Sequence, residues 1–230
     1  LRKVVANTLA LINGDTAYNI LKETYLNEKN DEVRAALVRK ISYFNKEDAT
    51  NTLIEALDDT SRKVQETAAA GLERTGLRGG EDRVMNKITG EDSWVSYFAV
   101  KALSKNCSDK VAAYLKELYP SLSGKLRLAA VEALGASSIP SDGFLVERLN
   151  EDNEDIRREA LTGIYRSDKT LALEKAVHLV NTDPSWLVRF RAIEIISSEA
   201  KPGYKDILAE IRKHDTNRYI LDKIDAVLGN

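Results

Sequence analysis

An apolar anchor that returns about every 31 residues restricts this chain to stacked copies of one small unit. The anchors are Leu1, Val33, Val64, Val95, Leu126, Ile156, Val188 and Ile220. Four residues beyond each stand Val5, Leu37, Ala68, Ala99, Ala130, Ala160, Ala192 and Ile224, and eight beyond stand Leu9, Ile41, Leu72, Leu103, Leu134, Ile164, Ile196 and Leu228. Spacing of i, i+4, i+8 is one stripe of an α-helix. The alanines at the middle position leave room for two helices to approach closely.

A second apolar set with helical spacing falls between these stripes. It includes Ile20, Leu21 and Tyr25; Leu53, Ile54 and Leu57; Val84, Met85 and Ile88; and Ile207, Leu208 and Ile211. Each unit therefore reads as an outer helix A, a tight turn and an inner helix B. Turns such as Asp58–Ser61, Gly90–Ser93, Asn150–Asn153 and Thr182–Ser185 offer N-cap oxygens to the helix that follows. Pro120 and Pro184 lie where a helix has to stop. The pattern predicts an all-α solenoid of about seven to eight helix pairs, running as a single domain over residues 1–230. Leu1 falls inside a B helix with no A helix before it, so the chain is expected to open within a repeat and to form part of a larger polypeptide.

The pairs Leu1-Arg2, Val33-Arg34, Leu126-Arg127, Ile156-Arg157 and Val188-Arg189, each leading into the apolar stripe, resemble the HEAT repeat. The likeness is to the short variety named after phycobilisome lyases, with a consensus near Asp-x-x-Val-Arg-x-x-Ala-x-x-Ala-Leu. It implies a right-handed α-α superhelix and extends over essentially the whole chain. Gln65 and Ser96 depart from it in the middle, and Leu221 departs at the end, where the helix reads as a terminal cap. One reading makes the recurring arginines an anion-binding ladder. The favoured reading pairs each with an acid or carbonyl of a neighbouring repeat.

Composition narrows the functions. The net charge is −2, whereas a chain that lives on nucleic acid carries a basic excess, so nucleic acid is a disfavoured partner. No apolar run approaches the length of a bilayer span. One cysteine, Cys107, allows no internal disulfide and suits a reducing, cytoplasmic setting. His178 and His214 are the only histidines and stand a full repeat apart, so no metal site, cofactor or catalytic residue is assigned. The acidic run Glu151, Asp152, Glu154 and Asp155 matches no calcium loop and reads as capping and solvation.

What remains is a surface. Residues two, six and ten beyond each anchor should face the groove lined by the B helices, taken as the concave side. They include Tyr97, Lys101, Leu128, Arg158 and Phe190, flanked by Trp94 and Trp186. Aromatic and arginine side chains are favoured anchors at protein interfaces. The expected function is a non-catalytic scaffold or accessory domain that binds a peptide or protein through these seven residues. The alternatives implied by the resemblance are the C-terminal domain of a larger enzyme, such as a zinc aminopeptidase, or a bilin lyase-like protein.

Overall fold

A computed structural model describes residues 14–89, 93–137, 142–199 and 203–229. The first anchor group, Leu1 to Leu9, and most of the Gly90–Ser93 turn lie outside them. Among the described residues there are fourteen α-helices and no strand. They alternate as A and B helices: α1 (Asp15–Asn27) and α2 (Asp31–Ile41), α3 (Glu47–Ala56) and α4 (Arg62–Thr75), α5 (Glu81–Met85) and α6 (Trp94–Ser104), α7 (Asp109–Leu118) and α8 (Gly124–Ala136), α9 (Asp142–Arg148) and α10 (Glu154–Ser167), α11 (Lys169–Thr182) and α12 (Trp186–Glu199), α13 (Tyr204–His214) and α14 (Arg218–Leu228). A 3₁₀ turn at Tyr119–Ser121, with Pro120 at its second position, separates α7 from α8. The described residues form two compact units divided after Ala133, within α8.

In the N-terminal unit α4 packs between α2 and α6; in the C-terminal unit α12 packs between α10 and α14. The predicted stripe forms these contacts. Ala68, Ala99, Ala130, Ala160 and Ala192 are completely buried, as are Ile41, Leu72, Leu103 and Ile164. Val33, Val95 and Leu228 are the stripe positions left half-buried. Two of the B helices meet closely at glycine. A Cβ added to Gly163 of α10 would sit 2.7 Å from the Cα of Gly135 and 2.9 Å from Leu145 Cδ1. No larger residue fits there without moving a helix.

Capping follows from short polar side chains. Asn30 Oδ1 accepts from Val33 N, Asn153 Oδ1 from Asp155 N and Ile156 N, and Asn217 Oδ1 from Tyr219 N and Ile220 N. Ser61 differs from expectation, since its side chain caps nothing. That turn is closed instead by Asp59 Oδ1, which accepts the Ser61 N–H at 2.8 Å. Ile20 also differs: it is 41% exposed, and Tyr18 takes its place in the core. The Tyr18 hydroxyl donates to the Asp48 carbonyl at 2.8 Å.

Candidate partner-binding face

At the edge formed by the A–B turns, the arginines after the anchors hold successive repeats together. Arg34 donates from Nε and Nη2 to the two oxygens of Asp59 in the next repeat, both at 2.9 Å. Its Nη1 donates at 2.9 Å to the Lys29 carbonyl in its own turn. Arg157 repeats the arrangement on Asp183 at 2.8 Å and 2.8 Å, and on the Glu151 and Asp152 carbonyls. Arg189 repeats it on Asp215 at 2.8 Å and 3.2 Å, and on the Asp183 and Pro184 carbonyls. Asp183 thus accepts from Arg157 through its side chain and from Arg189 through its backbone. The three contacts form the structural ladder that the favoured reading expects.

The ladder charges lie deep. The Arg157 and Asp183 side chains are 9% and 2% exposed. The hydrogen bonds to Asp183 raise the Arg157 pKa above its ordinary value. Burial alone would raise Asp59 and Asp215. Their arginines and the N–H groups of the following turn outweigh it and hold both carboxyls below the usual range. Burial raises Tyr25 strongly, helped by the Asp59 carboxylate to which its hydroxyl donates at 3.2 Å.

Gln65 and Ser96 interrupt this pattern. Gln65 Nε2 donates to the Asp59 carbonyl at 2.7 Å, which replaces the carbonyl contact but makes no charged bond to the next repeat. Ser96, fully buried, closes its own turn: its hydroxyl accepts the Thr89 N–H at 3.0 Å and the Ser93 hydroxyl at 3.0 Å. The sequence contains the signal for this difference. An acid stands five residues ahead of the next anchor after Arg34, Arg157 and Arg189, as Asp59, Asp183 and Asp215; after Gln65 and Ser96 the same place holds Gly90 and Ser121.

The helices that lack the arginine carry an open groove on their B face. It holds about 420 Å³ and is lined by Arg62, Glu66, Ala69, Ala70 and Glu73 of α4, by Trp94, Tyr97, Phe98 and Lys101 of α6, and by Lys125 of α8. Ala69 and Ala70 keep its floor low. Trp94, 38% exposed, meets Tyr97 edge-on at 5.6 Å and stacks on Phe98 at 5.8 Å. The Arg62 guanidinium lies 3.5 Å from the Trp94 ring centroid, and the Lys125 ammonium lies 4.5 Å from it. Burial works against the Lys101 charge, but Glu132, 3.2 Å away, keeps its pKa above the ordinary value.

The seven residues singled out in the sequence therefore fall into separate groups. Trp94, Tyr97 and Lys101 line the groove just described, and Leu128 is half-buried on α8 outside its lining. Arg158, Trp186 and Phe190 belong to the C-terminal unit. There Arg158 pairs with Asp155 at 2.8 Å, Trp186 stacks on the exposed Tyr219 at 5.0 Å, and Phe190 meets Trp186 edge-on at 6.4 Å. Arg62 and Lys125 were not among the residues expected at the groove.

His178 is exposed on α11, and His214 is exposed 3.0 Å from Glu210. Cys107 is half-buried in the turn after α6. Among the described residues, no group of three or more His, Cys, Asp or Glu is placed to hold a metal ion, and no helix is long and apolar enough to cross a membrane.

The sequence pattern of HEAT repeats matches residues 21–84, 50–135 and 143–227. No curated protein matches the chain in sequence. Among solved structures, the Escherichia coli protein YibA is similar with a TM-score of 0.59 at 20% identity, over 98% of this chain and 85% of that one. The complex of CpcE and CpcF of phycocyanin lyase from Nostoc sp. PCC7120 is similar with a TM-score of 0.55 at 15% identity, over 92% and 93%. An archaeal HEAT-like repeats protein from Thermococcus onnurineus gives 0.51 at 15% identity, over 94% and 100%. At these identities the likeness is one of fold. With the helix pairs, the buried stripe and the arginine–aspartate ladder in place, this chain belongs to the HEAT-repeat family.

Proposed function

We propose that this chain is a non-catalytic interaction module that binds a peptide or protein segment through the B-helix face of its N-terminal unit. The observation that carries this reading is the groove at Trp94. A half-exposed tryptophan with two cations over its ring, beside Tyr97 and above a floor of alanine, is a surface suited to a partner side chain. Aromatic residues with arginine nearby supply most of the energy at protein interfaces, and cation–π contacts strengthen as they lose water. A cytoplasmic setting fits the single cysteine.

The test is selection from a random peptide display library against the folded chain, followed by rebinding to Tyr97→Ala and Phe190→Ala. The proposal expects selected peptides to lose about tenfold or more in affinity for Tyr97→Ala, the cost of truncating a central aromatic. Phe190→Ala, in the other unit, should bind them as the unaltered chain does. Peptides that bind Tyr97→Ala undiminished, with helicity intact, would refute the assignment of this face.

A further inference from the structure

The N-terminal unit has a second ring dressed like Trp94. Tyr43, just beyond α2, is 57% exposed, with Lys40 Nζ 5.7 Å and the Arg74 guanidinium 4.6 Å from its ring centroid. Arg74 is fixed by bonds to the Ser42 carbonyl and hydroxyl. Among the described residues, Lys40, Arg62 and Arg74 have no ion-pair partner. At each ring two cations therefore lie within 6 Å of the centroid. At Trp94 they stand no farther apart than the sum of their two distances to the ring.

The C-terminal unit shows the same device neutralised. Tyr165 has Lys169 at 5.3 Å and Arg191 at 5.7 Å from its ring centroid. Lys169 is paired with Glu199 at 3.2 Å, and Arg191 with Glu194 at 3.1 Å. Phe190 has Lys223 at 5.3 Å, and Lys223 lies 3.8 Å from Glu194. Each ring-bound cation there has a carboxylate from its own unit. Among the described residues, both Lys40 and Arg74 at Tyr43 stand without an acid, and at Trp94 Arg62 does.

Resting on the proposal that this face is the binding face, we infer that its partner supplies the missing carboxylates: an extended peptide segment with acidic residues at two places. Arg62 and Arg74 lie on one helix, twelve residues apart in sequence, so they are about 18 Å apart along the axis of α4. An extended chain covers that distance in about five or six residues. Glu66 and Glu73 line the groove between them and repel acids in the middle of the segment. The pattern is therefore two acidic ends joined by a short neutral stretch that crosses α4 over Ala69 and Ala70. A nucleic acid, charged at every nucleotide, would have to pass the same two glutamates, which disfavours it.

The experiment uses the whole chain and three fluorescein-labelled probes read by anisotropy: the peptide Glu-Glu-Ser-Leu-Ser-Glu-Glu, its counterpart with lysine for glutamate, and oligothymidylate. The expected result is saturable binding of the glutamate peptide that weakens as salt rises, with the lysine peptide about tenfold weaker or more. Arg62→Gln, which removes one exposed cation, should weaken the glutamate peptide several-fold; Arg62→Gln combined with Arg74→Gln should weaken it about tenfold or more at unchanged helicity. Equal or tighter binding of the lysine peptide, tighter binding of oligothymidylate, or unchanged affinity in both variants would overturn the inference. If the lysine peptide binds and Tyr97→Ala abolishes that binding, the face is right and its acidic partner wrong. If neither peptide binds, this inference fails, and the binding face is decided separately by the library-selected peptides and Tyr97→Ala.

Discussion

In the C-terminal unit, Arg157 and Arg189 spend their charge on Asp183 and Asp215, and the cations over Tyr165 and Phe190 have carboxylates of their own. In the N-terminal unit the same column begins with Arg34 on Asp59 and then reads Gln65 and Ser96 before returning to arginine at Arg127. The helices that carry this glutamine and serine, α4 and α6, are the ones that present Arg62, Arg74, Trp94 and Tyr97 to the surface. A HEAT-repeat stack is thus held by different means along its length. Where charges are paired internally, they fix the register of neighbouring repeats. Where the ladder lapses, packing and local hydroxyl bonds carry the turn, and Arg62 and Arg74 of α4 have no ion-pair partner among the described residues. Replacing a buried ion pair by apolar groups is often neutral, whereas leaving one partner alone is costly. The ladder therefore specifies the stacking register more than it adds net stability, which explains how its middle can be lost.

The strongest way to break this contrast is Arg157→Ala. It leaves Asp183 buried without its cation and should cost about 3–5 kcal/mol in urea unfolding. Gln65→Ala, at the same place in α4, forfeits one hydrogen bond and should cost only about 1 kcal/mol. Equal losses would show that the two units are not stabilised differently at this edge. Next in size is Gly163→Ala, whose new methyl meets Gly135 and should cost about 1–3 kcal/mol by the same measurement.

A smaller effect should appear with pH. The carboxyls of Asp59 and Asp215 have folded pKa values below the unfolded ones, so their contribution to stability is fully present above the ordinary carboxylate range. It should fade as pH drops through about 4 and below, where the unfolded chain takes up protons first. Asp59→Asn and Asp215→Asn should each flatten the dependence of the thermal midpoint on pH in that window; a slope unchanged in both variants would contradict the cited bonds. At the bottom of the scale, the exposed pair of Lys213 with Glu210 lies outside the ladder. Lys213→Ala should leave the thermal midpoint where it is.

Much of this fold is legible in the sequence, because its stripe combines a helical period with a repeat period. That double constraint places Ala68, Ala99, Ala160 and Ala192 in the core without any structure. The outer helices are less constrained, and there Ile20 and Tyr18 exchange the roles their hydropathy implies. The arginine column is visible, but its partners are not obvious, since each aspartate belongs to the turn of the next repeat, far along the chain. Only the joint loss of arginine and acid around Gln65 and Ser96 gives the pairing away. Trp94, Tyr97 and Lys101 can be placed on a common face from helical phase. Arg62 and Lys125 cannot, because they stand just ahead of their anchors, in first turns, and reach Trp94 across the gap between helices by the length of their side chains.

The contrast between the units can be measured through the two tryptophans, one in each. Trp186→Phe leaves Trp94 as the only indole emitter, and Trp94→Phe leaves Trp186. Both variants are titrated with the Glu-Glu-Ser-Leu-Ser-Glu-Glu peptide while tryptophan emission is followed. The account predicts a saturable, salt-sensitive change in the emission of Trp94 and none in that of Trp186. A change confined to Trp186 would contradict it and move the binding face to the C-terminal unit.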